Sequence, residues 1–248
     1  SCAGVMQYLE ERDVGFDVQV TRVPIVCGAA LFDLQFGDHT IRPDKEMGYR
    51  ACLNLSDKNI LQGNVGAGTG ATVGKICGMK RAMTGGLGLH TIQVGDLKIS
   101  AVVAVNCLGD VFDPQTNFQL AGPLSENGDA CMSTEDIMCI KYSEKRNLFS
   151  SNTTIGTILT NGKFNKAETT KLASMAQNGL ARTLFPAHTM YDGDTIFAMS
   201  GGDIDADLSV TGFLAAKAME RAIVNAIKNT DTLYGVTSWS DLSAVPQK

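Results

Sequence analysis

In Ser150-Ser151-Asn152-Thr153-Thr154-Ile155-Gly156-Thr157-Ile158-Leu159-Thr160 a polar Asn-Thr-Thr turn runs straight into a β-branched segment of the buried-strand type. Scission of the Asn152–Thr153 bond would leave Thr153 with a hydroxyl and a free amine on one residue. An α-amino group titrates near ~7.7–8.0, so at neutral pH a useful fraction is unprotonated and can take the hydroxyl proton. The same residues also read as an ordinary polar turn before a strand, and as an N-x-[ST] glycosylation acceptor. Other positions have to decide between these readings.

Composition narrows the class. The 248 residues suffice for one large α/β domain, and no Pro/Ser-rich linker or charge block divides them. An apolar content of 44% supports a sizeable core, and 26 glycines, above the usual ~7%, imply close backbone approaches. With 21 Lys+Arg against 26 Asp+Glu, and cationic clusters no longer than Lys80-Arg81 or Lys145-Arg146, the chain lacks the basic stripe of a nucleic-acid binder. Its seven cysteines (Cys2, Cys27, Cys52, Cys77, Cys107, Cys131 and Cys139) are scattered without a CxxC pair, and are expected to be reduced core residues of a cytoplasmic protein. His39, His90 and His188 are too dispersed for a metal site, so neither metal nor cofactor is expected. Apolar runs are too short to span a bilayer. The chain opens at Ser1 inside what reads as a helix under way, so upstream sequence is expected to be absent.

Hydrophobic periodicity predicts helices over Ser1–Glu11, Lys45–Ser56, Asn165–Thr183 and Val210–Ile227, and strands over Asp17–Val26, Ile99–Val105, Ile137–Tyr142, Thr153–Thr160 and Thr195–Met199. Gly85-Gly86-Leu87-Gly88-Leu89 and Val94-Gly95-Asp96 punctuate further short strands, and Asp110–Gly128 reads as a polar surface loop. Strands fall in meander-like groups, which favours layered α/β with mixed or antiparallel sheets over a doubly wound parallel sheet.

Gly63-Asn64-Val65-Gly66-Ala67-Gly68-Thr69-Gly70-Ala71-Thr72-Val73-Gly74-Lys75 fails as a phosphate loop. Thr69 stands where a glycine belongs, and Ile76 where a metal-holding Ser or Thr belongs. Gly66-x-Gly68-x-x-Ala71 is a loose dinucleotide fingerprint with no clear strand before it. A tight turn beside a ligand or another segment remains, delivering Lys75 to a fixed place. Asn106, ending the Ile99–Val105 run, is either a hydrogen-bonded cap or an oxyanion donor. Asp192 and Asp194, one residue apart across Gly193, share one side of an extended backbone. They are either a solvated turn or a carboxylate pair with split titration, one member holding or accepting a proton near neutrality.

Gly63–Lys75, Ala104-Val105-Asn106, Asn152-Thr153-Thr154-Ile155, Asn178-Gly179-Leu180-Ala181-Arg182 and His188-Thr189-x-x-Asp192-Gly193-Asp194-Thr195-x-Phe197-Ala198 together resemble the L-aminopeptidase/D-esterase family over essentially the whole chain. That family includes β-aminopeptidases and nylon-oligomer (6-aminohexanoate oligomer) hydrolases. The resemblance implies a single self-processing domain over 1–248 on a four-layer αββα sandwich, cut between a 1–152 part that lacks the family's N-terminal segment and a 153–248 part. It also implies assembly into homotetramers or larger, and a substrate that is a small peptide or amino-acyl amide or ester. Matched position by position, Thr153 is the nucleophile, Asn152 precedes the cut bond, and Asn106 and Lys75 are the oxyanion groups. Asp192 and Asp194 are the polar partners of the nucleophile, in the pattern of the nylon-oligomer hydrolases. Phe32 stands where β-aminopeptidases carry a Tyr; with Gly68 in the glycine turn it is an expected substrate-binding position. An acyltransferase of the ornithine acetyltransferase type, which has Ala where Asn152 stands, and an unprocessed scaffold of the same fold are the competing readings.

Overall fold

A computed structural model describes residues 1–56, 58, 60–145 and 152–243. Ser150 and Ser151 of the opening stretch, and Arg146 of the Lys145-Arg146 pair, lie outside the described residues. The chain forms two compact units, Ser1–Ala30 with Asp38–Leu61, and Leu31–Gly37 with Gln62–Lys248.

The first unit begins with α1 (Cys2–Glu10), continues through a minimal hairpin of β1 (Phe16–Asp17) and β2 (Arg22–Val23), and ends in α2 (Lys45–Leu53). The two helices cross at glycines. A Cβ on Gly4 would stand 1.9 Å from the Lys45 carbonyl oxygen, and one on Gly48 would stand 2.0 Å from that of Ser1. Tyr8 and Tyr49 meet edge to face at 5.9 Å between ring centroids. The strand expected over Asp17–Val26 is cut to two residues a side. Gln19 takes φ 73°, and the Asp17 side chain accepts from the Gln19 N–H at 2.8 Å, closing a local turn that competes with extension.

The second unit holds β3 (Thr72–Val73), β4 (Met83–Thr84), β5 (Leu87–Val94), β6 (Leu97–Ala104), β7 (Asp110–Asp113), β8 (Phe118–Ala121), α3 (Thr134–Ser143), β9 (Ile155–Gly162), α4 (Lys166–Ala181), β10 (Leu184–Phe185), β11 (Thr195–Ile204), α5 (Leu208–Lys228) and α6 (Trp239–Ser243). Its main sheet has the order β11-β9-β6-β5. β5–β6 and β6–β9 are antiparallel, and β9–β11 is parallel with α4 as the connection. A second, antiparallel sheet has the order β10-β7-β8. This is the mixed α/β class expected.

The long helix α5 buries Leu214, Ala218, Met219, Ala222, Ile223, Ala226 and Ile227, packing on β5, β6 and α4 in one core with Ile99, Ala101, Val103, Ile158, Leu172 and Leu180. It lies so close to β5 that a Cβ on Gly88 would stand 1.9 Å from the Ala222 carbonyl oxygen. α4 starts in a capping box, Asn165 accepting from the Glu168 N–H and Glu168 accepting in return from the Asn165 N–H. Among the described residues no helix is long and apolar enough to cross a membrane.

Three expectations need correction. Ile137–Tyr142 is not a strand but the body of α3, because Ser133 caps it by accepting from the Asp136 N–H and Glu135 and Asp136 occupy its first turn; that local signal outweighs the β-branched and aromatic residues. Asp110–Gly128 is not a loop throughout. Asp110 and Asp113 are buried polar residues within β7, which paired β8 stabilises, and Asn117 at φ 55° makes the turn. Of the seven cysteines, all free, only Cys107 is fully buried, while Cys2, Cys27 and Cys139 are exposed.

Gly88→Ala is expected to lower the free energy of unfolding by at least the usual overpacking cost of about 1–3 kcal/mol, because the atom it meets is helix backbone. Gly201→Ala, where an added Cβ meets nothing within 4 Å, should change stability by less than about 0.5 kcal/mol in the same denaturant titration.

Candidate active site

The central strand β9 draws the site together by its register with both neighbours. β6 pairs Ala104 with Ile155, and two residues further the antiparallel alignment sets Asn106 beside Thr153, whose N–H donates to the Asn106 carbonyl at 2.9 Å. On the other side β11 pairs Thr195 with Ile155, and the parallel alignment persists toward the chain's earlier residues. Thr195 N–H donates to Thr154 O at 3.0 Å, Gly193 N–H to Asn152 O at 2.9 Å, and Asn152 N–H to Tyr191 O at 3.0 Å, closing a parallel bridge between Asn152 and Asp192. Thr153 therefore stands between Asn106 and Gly193 at the head of the sheet's interior strand.

The Thr153 hydroxyl lies 2.5 Å from the carbonyl oxygen of Asn152, to which it donates. Asn152 is 2% exposed, whereas Gly193 is exposed and leaves the hydroxyl approachable. A side chain at 193 would crowd the hydroxyl, since its Cβ would sit 3.0 Å from Thr153 Oγ1.

The carboxylates flank Gly193, each held by donors of its own. Asp192 accepts from Leu108 N–H at 3.1 Å and from the Thr189 hydroxyl at 2.6 Å. Asp194 accepts from Thr154 N–H at 2.9 Å on one oxygen, and on the other from His188 N–H at 3.3 Å, with His188 Nδ1 at 3.2 Å. Burial pushes the Asp194 carboxyl up from its ordinary range. The Thr154 N–H opposes this, the charge of Asp192 adds to it, and His188 opposes it again.

Lys75 follows Gly74, which takes φ 68° to turn the chain into a short 3-10 segment. Its side chain is buried, and burial lowers it from 10.5 to about 8 against the opposing charges of Cys107, Asp192 and Asp33. The ammonium donates to Asn106 Oδ1 at 2.6 Å and to Thr72 O at 2.8 Å, and Thr72 N–H donates to the same Oδ1 at 3.0 Å. The Thr72 hydroxyl adds a third donor at 3.5 Å, and donors on Oδ1 settle the amide's orientation, leaving Nδ2 as the donor end, which reaches Phe32 O at 3.3 Å. Lys75 is thus placed against the amide of Asn106, where the sequence reading had both groups facing one oxyanion.

Phe32 joins the cluster through its main chain, with its ring 40% exposed. Gly68 is not brought to the cluster: it is walled by backbone, an added Cβ standing 2.2 Å from Leu87 N and 2.4 Å from Gly63 O, so its lack of a side chain serves packing. Sequence reasoning passed over three participants. Thr72 orients the amide, His188 holds Asp194, and Gly193 carries the N–H on the Asn152 carbonyl. Only Gly193 had a visible signal, a glycine between two carboxylates where a strand begins. Among the described residues no group of three or more His, Cys, Asp or Glu could hold a metal ion.

Comparisons with known proteins give the family and the type of fold. The model for peptidase family S58 matches residues 1–239. An uncharacterized aminopeptidase of Mycobacterium leprae is 32% identical over 259 residues, covering 95% of this chain and 70% of that protein. A 6-aminohexanoate-oligomer endohydrolase of Kocuria sp. is 27% identical, covering 91% and 67%. The structure of the L-aminopeptidase D-Ala-esterase/amidase from Ochrobactrum anthropi, described as a new variant among the Ntn hydrolase fold, superposes with a TM-score of 0.51 at 17% identity, over 75% of this chain and 50% of that one. With nearly the whole length matched, the chain belongs to peptidase family S58, peptide- and amide-bond hydrolases on an Ntn-hydrolase type of fold.

Proposed function

We propose that this chain cuts itself between Asn152 and Thr153 and then works as an aminopeptidase-like amide hydrolase with Thr153 as an N-terminal nucleophile. The observation that carries the reading is the Thr153 hydroxyl lying on the carbonyl of the residue before it, while the Thr153 nitrogen is tied to Asn106 O. In the first step Thr153 Oγ1 bonds to the Asn152 carbonyl carbon and the hydroxyl proton passes to the acidic pair. The carbon–nitrogen bond then breaks as the nitrogen regains a proton. Water cleaves the resulting ester, giving the Asn152 carboxylate and a Thr153 with free hydroxyl and free amine.

In the cut form the amine takes the place of the former amide nitrogen beside Asn106 O, and serves as the base for its own hydroxyl. Asn106 Nδ2, oriented by Lys75 and Thr72, is the oxyanion donor for an external substrate. The oxygens of Asp192 and Asp194 already accept from four residues, which favours a proton-handling and positioning role over reception of a substrate ammonium. Substrates of the proposed enzyme are small amino-acyl amides, esters or short peptides, and the Kocuria relative's name places ω-amino-acyl oligomers among those to be tried. A cytoplasmic homo-oligomer of cut chains belongs to the same proposal.

Thr153→Ala is expected to remain a single chain by intact-mass measurement and to hydrolyse no aminoacyl p-nitroanilide; two fragments from that variant would sink the assignment. Self-cleavage followed against pH should slow as acid protonates Asp194. Its carboxyl is raised, so it keeps its proton to a higher pH than an ordinary aspartate, and the rate climbs as pH rises through that value. Lys75→Met should reduce kcat at least about ten-fold while raising the unfolding midpoint. A lysine lowered in the folded state costs stability when protonated, fully below about pH 8 and progressively less toward 10.5. That difference amounts to at most about 3.5 kcal/mol, at about 1.4 kcal/mol per pH unit.

A further inference from the structure

The side-chain groups proposed to hold the oxyanion of an external substrate, Asn106 Nδ2 and the Lys75 ammonium, make their hydrogen bonds away from the carbonyl oxygen of the bond proposed to be cut. Asn106 Nδ2 is directed at Phe32 O, and the Lys75 ammonium is spent on Asn106 Oδ1 and Thr72 O. The Asn152 carbonyl oxygen instead receives the Gly193 N–H at 2.9 Å, within the 2.7–3.1 Å range expected of an oxyanion donor. That N–H is fixed by the parallel bridge Asn152↔Asp192, itself an in-register extension of β9–β11, so it needs no reorganisation as charge grows on the oxygen.

We propose that Gly193 is a catalytic residue of the self-cleavage step, its backbone N–H stabilising the oxyanion formed on Asn152 O, and that this donor is separate from the Asn106 amide used in turnover. As the Thr153 Oγ1–carbon bond forms, the carbonyl π pair moves onto the oxygen that Gly193 N–H holds. As the Asn152–Thr153 carbon–nitrogen bond breaks, the pair returns to re-form the carbonyl of the ester, which water then cleaves. The absence of a side chain at 193 bears on the same step. Any Cβ there would stand 3.0 Å from Thr153 Oγ1, within the approach of the nucleophile.

The inference rests on the self-cleavage proposed above, and the experiment separates the two. The 248-residue chain is made with glycolic acid in place of Gly193, which exchanges the N–H for an ester oxygen and weakens the preceding carbonyl as an acceptor, a side effect that the control shares. Its matched control carries the α-hydroxy analogue of threonine at 195. That control loses the ladder hydrogen bond from Thr195 N–H to Thr154 O, which is of the same kind but not on the scissile carbonyl. Cleavage is timed by intact mass. The 193 ester is expected to split about 10²–10³ times more slowly than the unmodified chain, with the 195 ester within about three-fold of it.

Equal slowing in both esters, or none at 193, overturns the assignment to Gly193. An unmodified chain that never splits overturns the self-cleavage reading itself. If the 193 ester lowers the thermal midpoint more than the 195 ester does, the comparison is made in Thr153→Ala, where the bond stays intact, by the carbon-13 resonance of the Asn152 carbonyl. An upfield displacement on loss of the N–H supports the assignment, and an unmoved resonance overturns it.

Discussion

The site depends on the lateral alignment of one interior strand. β9 is paired on both sides, and a slip of a single residue against either neighbour would turn Thr153 to the opposite face of the sheet. The apolar alternation along β9 and β6, with Ile99, Ala101, Val103 and Ile158 fully buried, makes such a slip costly well away from the chemistry. Packing of ordinary aliphatic side chains beneath α5 therefore positions a hydroxyl, two carboxylates and an amide that lie far apart in the chain.

Around that hydroxyl the protein tolerates unfavourable electrostatics. An ammonium, an amide and a carboxylate are withdrawn from water at Lys75, Asn106 and Asp194, and each has its polar atoms engaged by neighbours. Burial acts in opposite senses on the two charged groups, drawing the lysine down and the aspartate up, so both approach the neutral range from their own sides.

Much of this was legible in the sequence, though unevenly. The strand at Thr153–Thr160, the Ile99–Val105 strand ending in Asn106 and the two long helices carry strong periodicity, and they appear at nearly the bounds expected. α3 was misread because Ile137–Tyr142 is rich in β-formers, and its capping residues lie outside the apolar run. β7 was misread because Asp110 and Asp113 are carboxylates at buried positions, satisfied by partners such as Thr134 and Arg221 that only folding supplies. At the site, side-chain identities could be taken from motifs. What could not was direction: that Lys75 points at an amide oxygen, that His188 reaches Asp194, and that a main-chain N–H with no sequence identity at all lies on the Asn152 carbonyl.

The sheet order β11-β9-β6-β5 has one more consequence. β5 and β6 precede Thr153 in the chain, whereas β9, β11 and the helices α4 and α5 follow it, so the seam between β6 and β9 is also the boundary between the two products of a cut at that residue. Six residue pairs from Ile99↔Thr160 to Ala104↔Ile155, with α5 lying across β5 and β6, bind one product to the other. Neither piece owns a complete hydrophobic interior. The cut proposed there would exchange a covalent tether for an already zipped interface, and would leave two polypeptides held as one molecule.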